Sequence, residues 1–237
     1  MDHVQVGENS HGPSDRGHSF EVSVFILLLL PSMVVSHFAV NQPGLGFVVA
    51  AVGTILHNVG FVCLIAYFAW KNNERWERFG WTGRNASREL AVGVWLFVLM
   101  FLAASFVERA LSYLGFSLPE RSLPAFLTPR SSGARVLAFL LVVVVAISEE
   151  VIFRGYLPLR LGGVAKSRLC AVLLSTVIFA SGHGYEGVSG VIGVFLIGLV
   201  LAAVYAWRKS LVAPMVMHFL QDFMGIFVLP LLSHGHG

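Results

Sequence analysis

Six side chains in the second half of the chain have the types and spacings for chemistry: Glu149, Glu150, Arg154, His183, His218 and Asp222. The two glutamates close the apolar run VLAFLLVVVVAIS. A carboxylate at hydrocarbon depth is expensive unless it is paired, so an ionisable residue there marks a functional site by default. Glu150 and Arg154 stand four residues apart on one helical face and can pair directly. Glu149 is rotated by about 100° from Glu150. The residues one turn beyond it, Ile152 and Phe153, are apolar and offer no counter-charge. A buried carboxylate left without a partner is the candidate general base, able to take a proton from a water molecule. The plainer alternative is an ion pair that only locks helix packing.

The histidines extend the constellation. His183 ends the run VLLSTVIFASGH and lies one turn beyond Phe179. A single histidine on an apolar helix is either a hydrogen-bonded core residue or part of a site, and the spacing leaves both open. His218 and Asp222 are i and i+4 in MVMHFLQDF, so Asp222 can fix the tautomer of His218 or share a site with it.

These residues need long apolar helices to hold them. The 237-residue chain is 56% hydrophobic and 12% charged, with a mean hydropathy of +0.77. A soluble domain carries about 25% charged residues. Seven apolar segments can be drawn, at 22–40, 45–70, 89–115, 134–161, 168–186, 188–207 and 211–232, each near the ~20 residues a spanning helix needs. The expectation is an all-α, polytopic membrane helix bundle of about seven (six to eight) transmembrane helices. Residues 21–232 would form one domain with its chemical core at about 130–230. Residues 1–20, polar and unlike the basic start of a signal peptide, are expected as a disordered tail, and 233–237 as a second tail. The formal charge of +3 gives no reason to expect a nucleic-acid partner.

The basic residues are placed as they are in membrane proteins. Lys71, Arg75, Arg78, Arg84 and Arg88 fall in one loop, Arg160, Lys166 and Arg168 in another, and Arg208 and Lys209 in a third. With seven spans these loops share a side, which the positive-inside rule puts in the cytoplasm together with the N-terminus, leaving the C-terminus outside. If the fourth helix continues past Pro158 to Leu161 and turns through Gly162 and Gly163, Glu149 and His183 both lie roughly 18–23 Å from that turn and His218 roughly 13 Å. The three can then converge. Gly198, Ala202 and Ala206 form a small-residue stripe for close helix approach. Cys63 and Cys170 fall in apolar runs and are expected as buried small residues, and His57 and Asn58 as packing residues.

As a set, the motif residues resemble a known family. Glu149-Glu150-Val-Ile-Phe-Arg154-Gly155, Phe179-Ala-Ser-Gly-His183 and His218-Phe-Leu-Gln-Asp222 match, in order, the EExxxR, FxxxH and HxxxN/D motifs of the CPBP family, the CAAX proteases and bacteriocin-processing (Abi) proteins. The resemblance covers about residues 130–230. It implies an intramembrane endopeptidase of the glutamate type, similar to the type II CAAX prenyl endopeptidase, in a cell inner membrane and acting without a cofactor on a membrane-associated peptide or protein. It implies that Glu149 activates water with His183, that Glu150, Arg154 and Phe179 position the site, and that His218 and residue 222 stabilise the oxyanion. Residue 222 is Asp where the best-understood relatives carry Asn, and an ionised Asp donates no hydrogen bond. Two alternatives use the same residues: a zinc peptidase with Glu149, His183 and His218 as ligands, and a non-catalytic self-immunity or scaffold protein of the membrane.

Overall fold

The computed structural model describes residues 15–40, 45–83, 85–115, 128–165 and 167–233, and every regular element among them is helical. The helices are α1 (Asp15–Val40), α2 (Phe47–Lys71), α3 (Ala86–Tyr113), α4 (Ser132–Glu150), α5 (Leu157–Ala165), α6 (Arg168–Ser181), α7 (Gly187–Arg208), α8 (Val212–Phe223) and α9 (Leu229–Ser233). Helices satisfy their own backbone groups, which is what apolar surroundings demand. Ser131 and Ser167 cap α4 and α6, their hydroxyls accepting from the backbone N–H groups of Ala134 and Cys170.

Among the described residues, six helical runs are long and apolar enough to cross a bilayer. The chain is a membrane protein built as a helical bundle. The expected span at 168–186 is shorter than the sequence suggested. α6 has 14 residues, about 21 Å of rise. It ends at Ser181 because Gly182 and Gly184 flank His183 and the chain tightens into a 3₁₀ turn at Gly184–Glu186. The expected tail at 1–20 is also shorter, since α1 already begins at Asp15. Glu21 explains the early start. It is buried, and it accepts hydrogen bonds from Lys71 (3.3 Å) and Asn72 (2.9 and 3.0 Å) at the end of α2. Residues 1–14, 116–127 and 234–237, which include most of the Pro-rich connector and the rest of both tails, lie outside the described residues, as do Arg84 and Lys166.

α4 does not stop at the motif. It continues through a π-helical turn at Val151–Tyr156 into α5, one mainly apolar helical run of 32 residues from Ser132 to Gly163. The turn through Gly162 and Gly163 comes later than expected, after Ala165. Pro158 has no N–H to give to the carbonyl four residues back, and the widened turn ahead of it absorbs that lost bond. A second π turn, Met224–Val228, precedes Pro230 in the same way.

α4 packs against α2 and α8, α6 against α5 and α7, and α3 against α8. Tyr156 fills the centre, its ring 4.9 Å from Phe25, 6.1 Å from Phe79 and stacked at 6.4 Å on Phe68. Gly198 of the small-residue stripe is a true contact point. A Cβ there would stand 2.9 Å from Thr176 and 3.2 Å from the Phe179 ring. Ala202 is buried beside it, whereas Ala206 is exposed. Cys63 and Cys170 are both exposed on the outside of the bundle, not buried as expected.

The three basic loops meet at one end. Arg160 binds Glu74 through two hydrogen bonds, and Arg208 binds Glu89 likewise. The Leu211 N–H donates to Gly80 (2.9 Å) and the Tyr205 hydroxyl to Phe79 (3.2 Å).

Candidate active site

α4 carries Glu149 and Glu150 into the middle of the bundle, and α8 faces them with His218 and Asp222. Glu150 is fully buried and Arg154 is 2% exposed. The Arg154 guanidinium donates to Glu150 Oε1 at 2.8 Å and to the Gly198 carbonyl at 3.4 Å. It also lies 4.3 Å above the Phe179 ring, a cation–π contact that fixes its plane. Phe179 in turn sits against Phe153 (5.2 Å), His183 (5.1 Å) and His218 (6.0 Å). The motif residue Phe179 is thus the hydrophobic hub of the site.

Glu150 has a second partner that helical spacing does not reveal. His218 Nδ1 is 2.8 Å from the same Oε1. A ring nitrogen facing a carboxylate at that distance carries the proton, so Nδ1–H donates to Glu150 and the ring orientation is set. The opposite nitrogen, Nε2, then points between Glu149 Oε2 at 3.7 Å and Asp222 Oδ2 at 3.6 Å. Both separations exceed a direct hydrogen bond and suit a bridging water. One oxygen each of Glu149 and Glu150 is buried without a hydrogen-bond partner. The sequence had assigned Glu150 to Arg154 alone. It instead joins Arg154 on its own helix to His218 on α8.

His183 stands just past the end of α6. Its Nδ1 is 3.2 Å from the Phe179 carbonyl, which requires an N–H there and leaves Nε2 with a lone pair. It lies within electrostatic reach of Asp222. Glu149, Glu150, Arg154, His218, Asp222 and Phe179 are therefore brought together, with His183 at the edge of the group. Among the described residues, no three His, Cys, Asp or Glu side chains are grouped to hold a metal ion.

Residues 131–224, from the cap of α4 to the end of α8, match the family model for type II CAAX prenyl endopeptidase Rce1-like proteins. This core is similar to Rce1-like proteins. The family is one of proteases, and the matched stretch contains every residue of the site just described. No curated protein and no solved structure matches the chain.

The Rce1-like core also has neighbours that sequence reasoning passed over. Tyr185, two residues past His183, has its ring 6.0 Å from the His183 ring and lies within electrostatic reach of Glu149, Asp222 and Glu186. A search of the turn just beyond His183 would have found it. His57 on α2, expected as a packing residue, is in ring contact with Phe61 (4.9 Å) and also within electrostatic reach of Glu149. Nothing in the sequence signals that contact, because α2 meets α4 only through the tertiary fold.

Proposed function

We propose that this protein is a metal-independent intramembrane endopeptidase that hydrolyses a peptide bond of a membrane-associated peptide or protein. Glu149 takes a proton from a water held with the Nε2 lone pair of His183, and the water oxygen bonds to the carbonyl carbon. The carbonyl oxygen becomes the oxyanion of a tetrahedral intermediate. Its collapse breaks the C–N bond as Glu149 passes the proton to the departing nitrogen. His218 faces the oxyanion, with Asp222 steadying its ring and Glu150, Arg154 and Phe179 fixing its direction.

The observation that carries this reading is the orientation of His218. One nitrogen is tied to Glu150 and the other is aimed between two further carboxylates, inside a segment that matches a protease family. The meeting of the basic loops at one end supports placing that end in the cytoplasm of a cell with an inner membrane, with the N-terminus on the same side and the C-terminus outside. Candidate substrates are leader peptides, membrane-anchored peptides and C-terminal sorting tails.

The test compares the peptides released by cells carrying the wild type and Glu149→Gln at equal protein level. Products present in the first and missing in the second are expected, and they should persist with a strong chelator. Identical peptide profiles would return the motif residues to a scaffold role, and loss of the products with chelator would favour the zinc set.

A further inference from the structure

Four of the N–H groups that line the site are already committed. Arg154 gives its hydrogens to Glu150 and the Gly198 carbonyl beneath the Phe179 ring. His218 gives Nδ1–H to Glu150, and His183 gives Nδ1–H to the Phe179 carbonyl. Asp222, as a carboxylate, only accepts. Beyond His218 Nε2, a tetrahedral oxyanion formed beside Glu149 would meet the Glu150 and Asp222 carboxylates and, among these groups, no neutral hydroxyl or amide free to donate, although such donors are worth a large share of the rate in acyl transfer.

We propose that the Tyr185 hydroxyl is that donor, taking the place of the side-chain N–H that Asp222 does not supply. The inference rests on the peptidase reading. Three observations place the phenol. It follows His183 in the 3₁₀ turn Gly184–Glu186, so it hangs from the same short segment as the water-binding histidine. Its ring lies 6.0 Å from that histidine. It lies within electrostatic reach of Glu149 and Asp222, the two carboxylates that flank His218 Nε2.

The turn is also braced from outside the Rce1-like core. A Cβ at residue 182 would stand 2.8 Å from Met33 and one at 184 would stand 3.3 Å from His37, both on α1, so the glycines let α1 press on the turn. In the resting site the exposed Glu186 carboxylate accepts the phenol hydrogen. The oxyanion of a tetrahedral carbon is a stronger acceptor than a solvated carboxylate. The hydrogen bond moves from Glu186 to the oxyanion as the intermediate forms and returns as it collapses, with no covalent change at Tyr185.

The experiment measures release of the peptides that distinguish wild type from Glu149→Gln, using the full chain in membranes. Tyr185→Phe removes one oxygen and should lower the turnover rate by about 10²–10³-fold with little change in KM, the usual effect of losing one oxyanion donor. Asp222→Asn in the Tyr185→Phe background restores a neutral donor from the other side and should recover at least tenfold of that loss. Wild-type turnover by Tyr185→Phe overturns the inference. So does a double variant no faster than Tyr185→Phe, which would mean the phenol only shapes the turn. If Glu149→Gln itself releases the same peptides as wild type, the peptidase reading falls and takes this inference with it.

Discussion

Two buried charge clusters in this bundle follow opposite rules. At the end where the basic loops meet, cations outnumber carboxylates. Glu74 is surrounded by Arg160, Arg78 and His18, Glu21 by Lys71 and Asn72, and Glu89 by Arg208. At the end of α4, Glu149, Glu150 and Asp222 share one guanidinium and one imidazole between them. In the first cluster every carboxylate is saturated with donors, and the pairs tie α1 to α2, α5 to the loop after α2, and α3 to α7. The second is short of cations, and its buried carboxylate oxygens lack partners. A fold gains nothing from stranding carboxylates in an apolar interior. An excess of negative groups around one imidazole is intelligible where protons must be moved.

That contrast can be broken by mutation. The largest effect is expected from Glu149→Gln, which should lower peptide release by about 10²–10⁴-fold, the range for removal of a general base. Thermal unfolding in detergent should leave its stability unchanged or raised, whereas Glu21→Gln, in the saturated cluster, should unfold more easily. A destabilised Glu149→Gln would mean that the two clusters are alike after all. Arg154→Met leaves the fully buried Glu150 with His218 as its one partner and should cost about 3–5 kcal/mol. Arg160→Met should cost less, because Arg78 and His18 remain beside Glu74. Equal losses in parallel melts would count against the distinction.

Smaller changes sharpen it. Gly198→Ala puts a methyl against Thr176, Phe179 and the Arg154 guanidinium, and overpacking of this kind costs about 1–3 kcal/mol. Peptide release should fall with it, since the same contact holds the hub of the site. The saturated cluster should respond to acid. Burial works to raise the Glu74 carboxyl, but Arg160, Arg78 and His18 outweigh it and hold the group below its ordinary value. A lowered carboxyl contributes stability that is fully present above the ordinary carboxylate range and is lost as pH falls through the lowered value. Melting temperature against pH should therefore hold level to below pH ~4.3, the ordinary glutamate value, and then drop, with the drop moved to higher pH in Arg160→Met. The smallest effect is expected at the exposed pair Arg75–Glu77, where Arg75→Ala should change stability by less than about 0.5 kcal/mol.

Much of the site was readable from spacing. The i, i+4 pairs Glu150–Arg154 and His218–Asp222 are local geometry, whereas the continuation of α4 past Pro158 stood only as a condition until the π turn showed how the helix passes it. The bond from Glu150 to His218 spans 68 residues and depends on how α8 packs on α4, which no spacing rule encodes. The short α6 was missed because hydropathy continues through Gly182 and His183 while the backbone does not. The early start of α1 was missed because a polar segment reads as tail until a buried partner such as Lys71 is known.

The π turn at Val151–Tyr156 sets the phase between the two clusters. One extra residue in a helical turn advances everything beyond it by about 100° around the axis. Glu149 and Glu150 lie before the turn and Arg160 after it, so the helix acts as two screws cut from one rod with a fixed offset. Arg160 reaches Glu74 only at that offset, while Glu150 reaches His218. Removing a single residue from 151–156 to restore a regular helix would leave both halves intact and put them out of step. Glu150 could then face α8 or Arg160 could reach Glu74, but one continuous helix could not satisfy both.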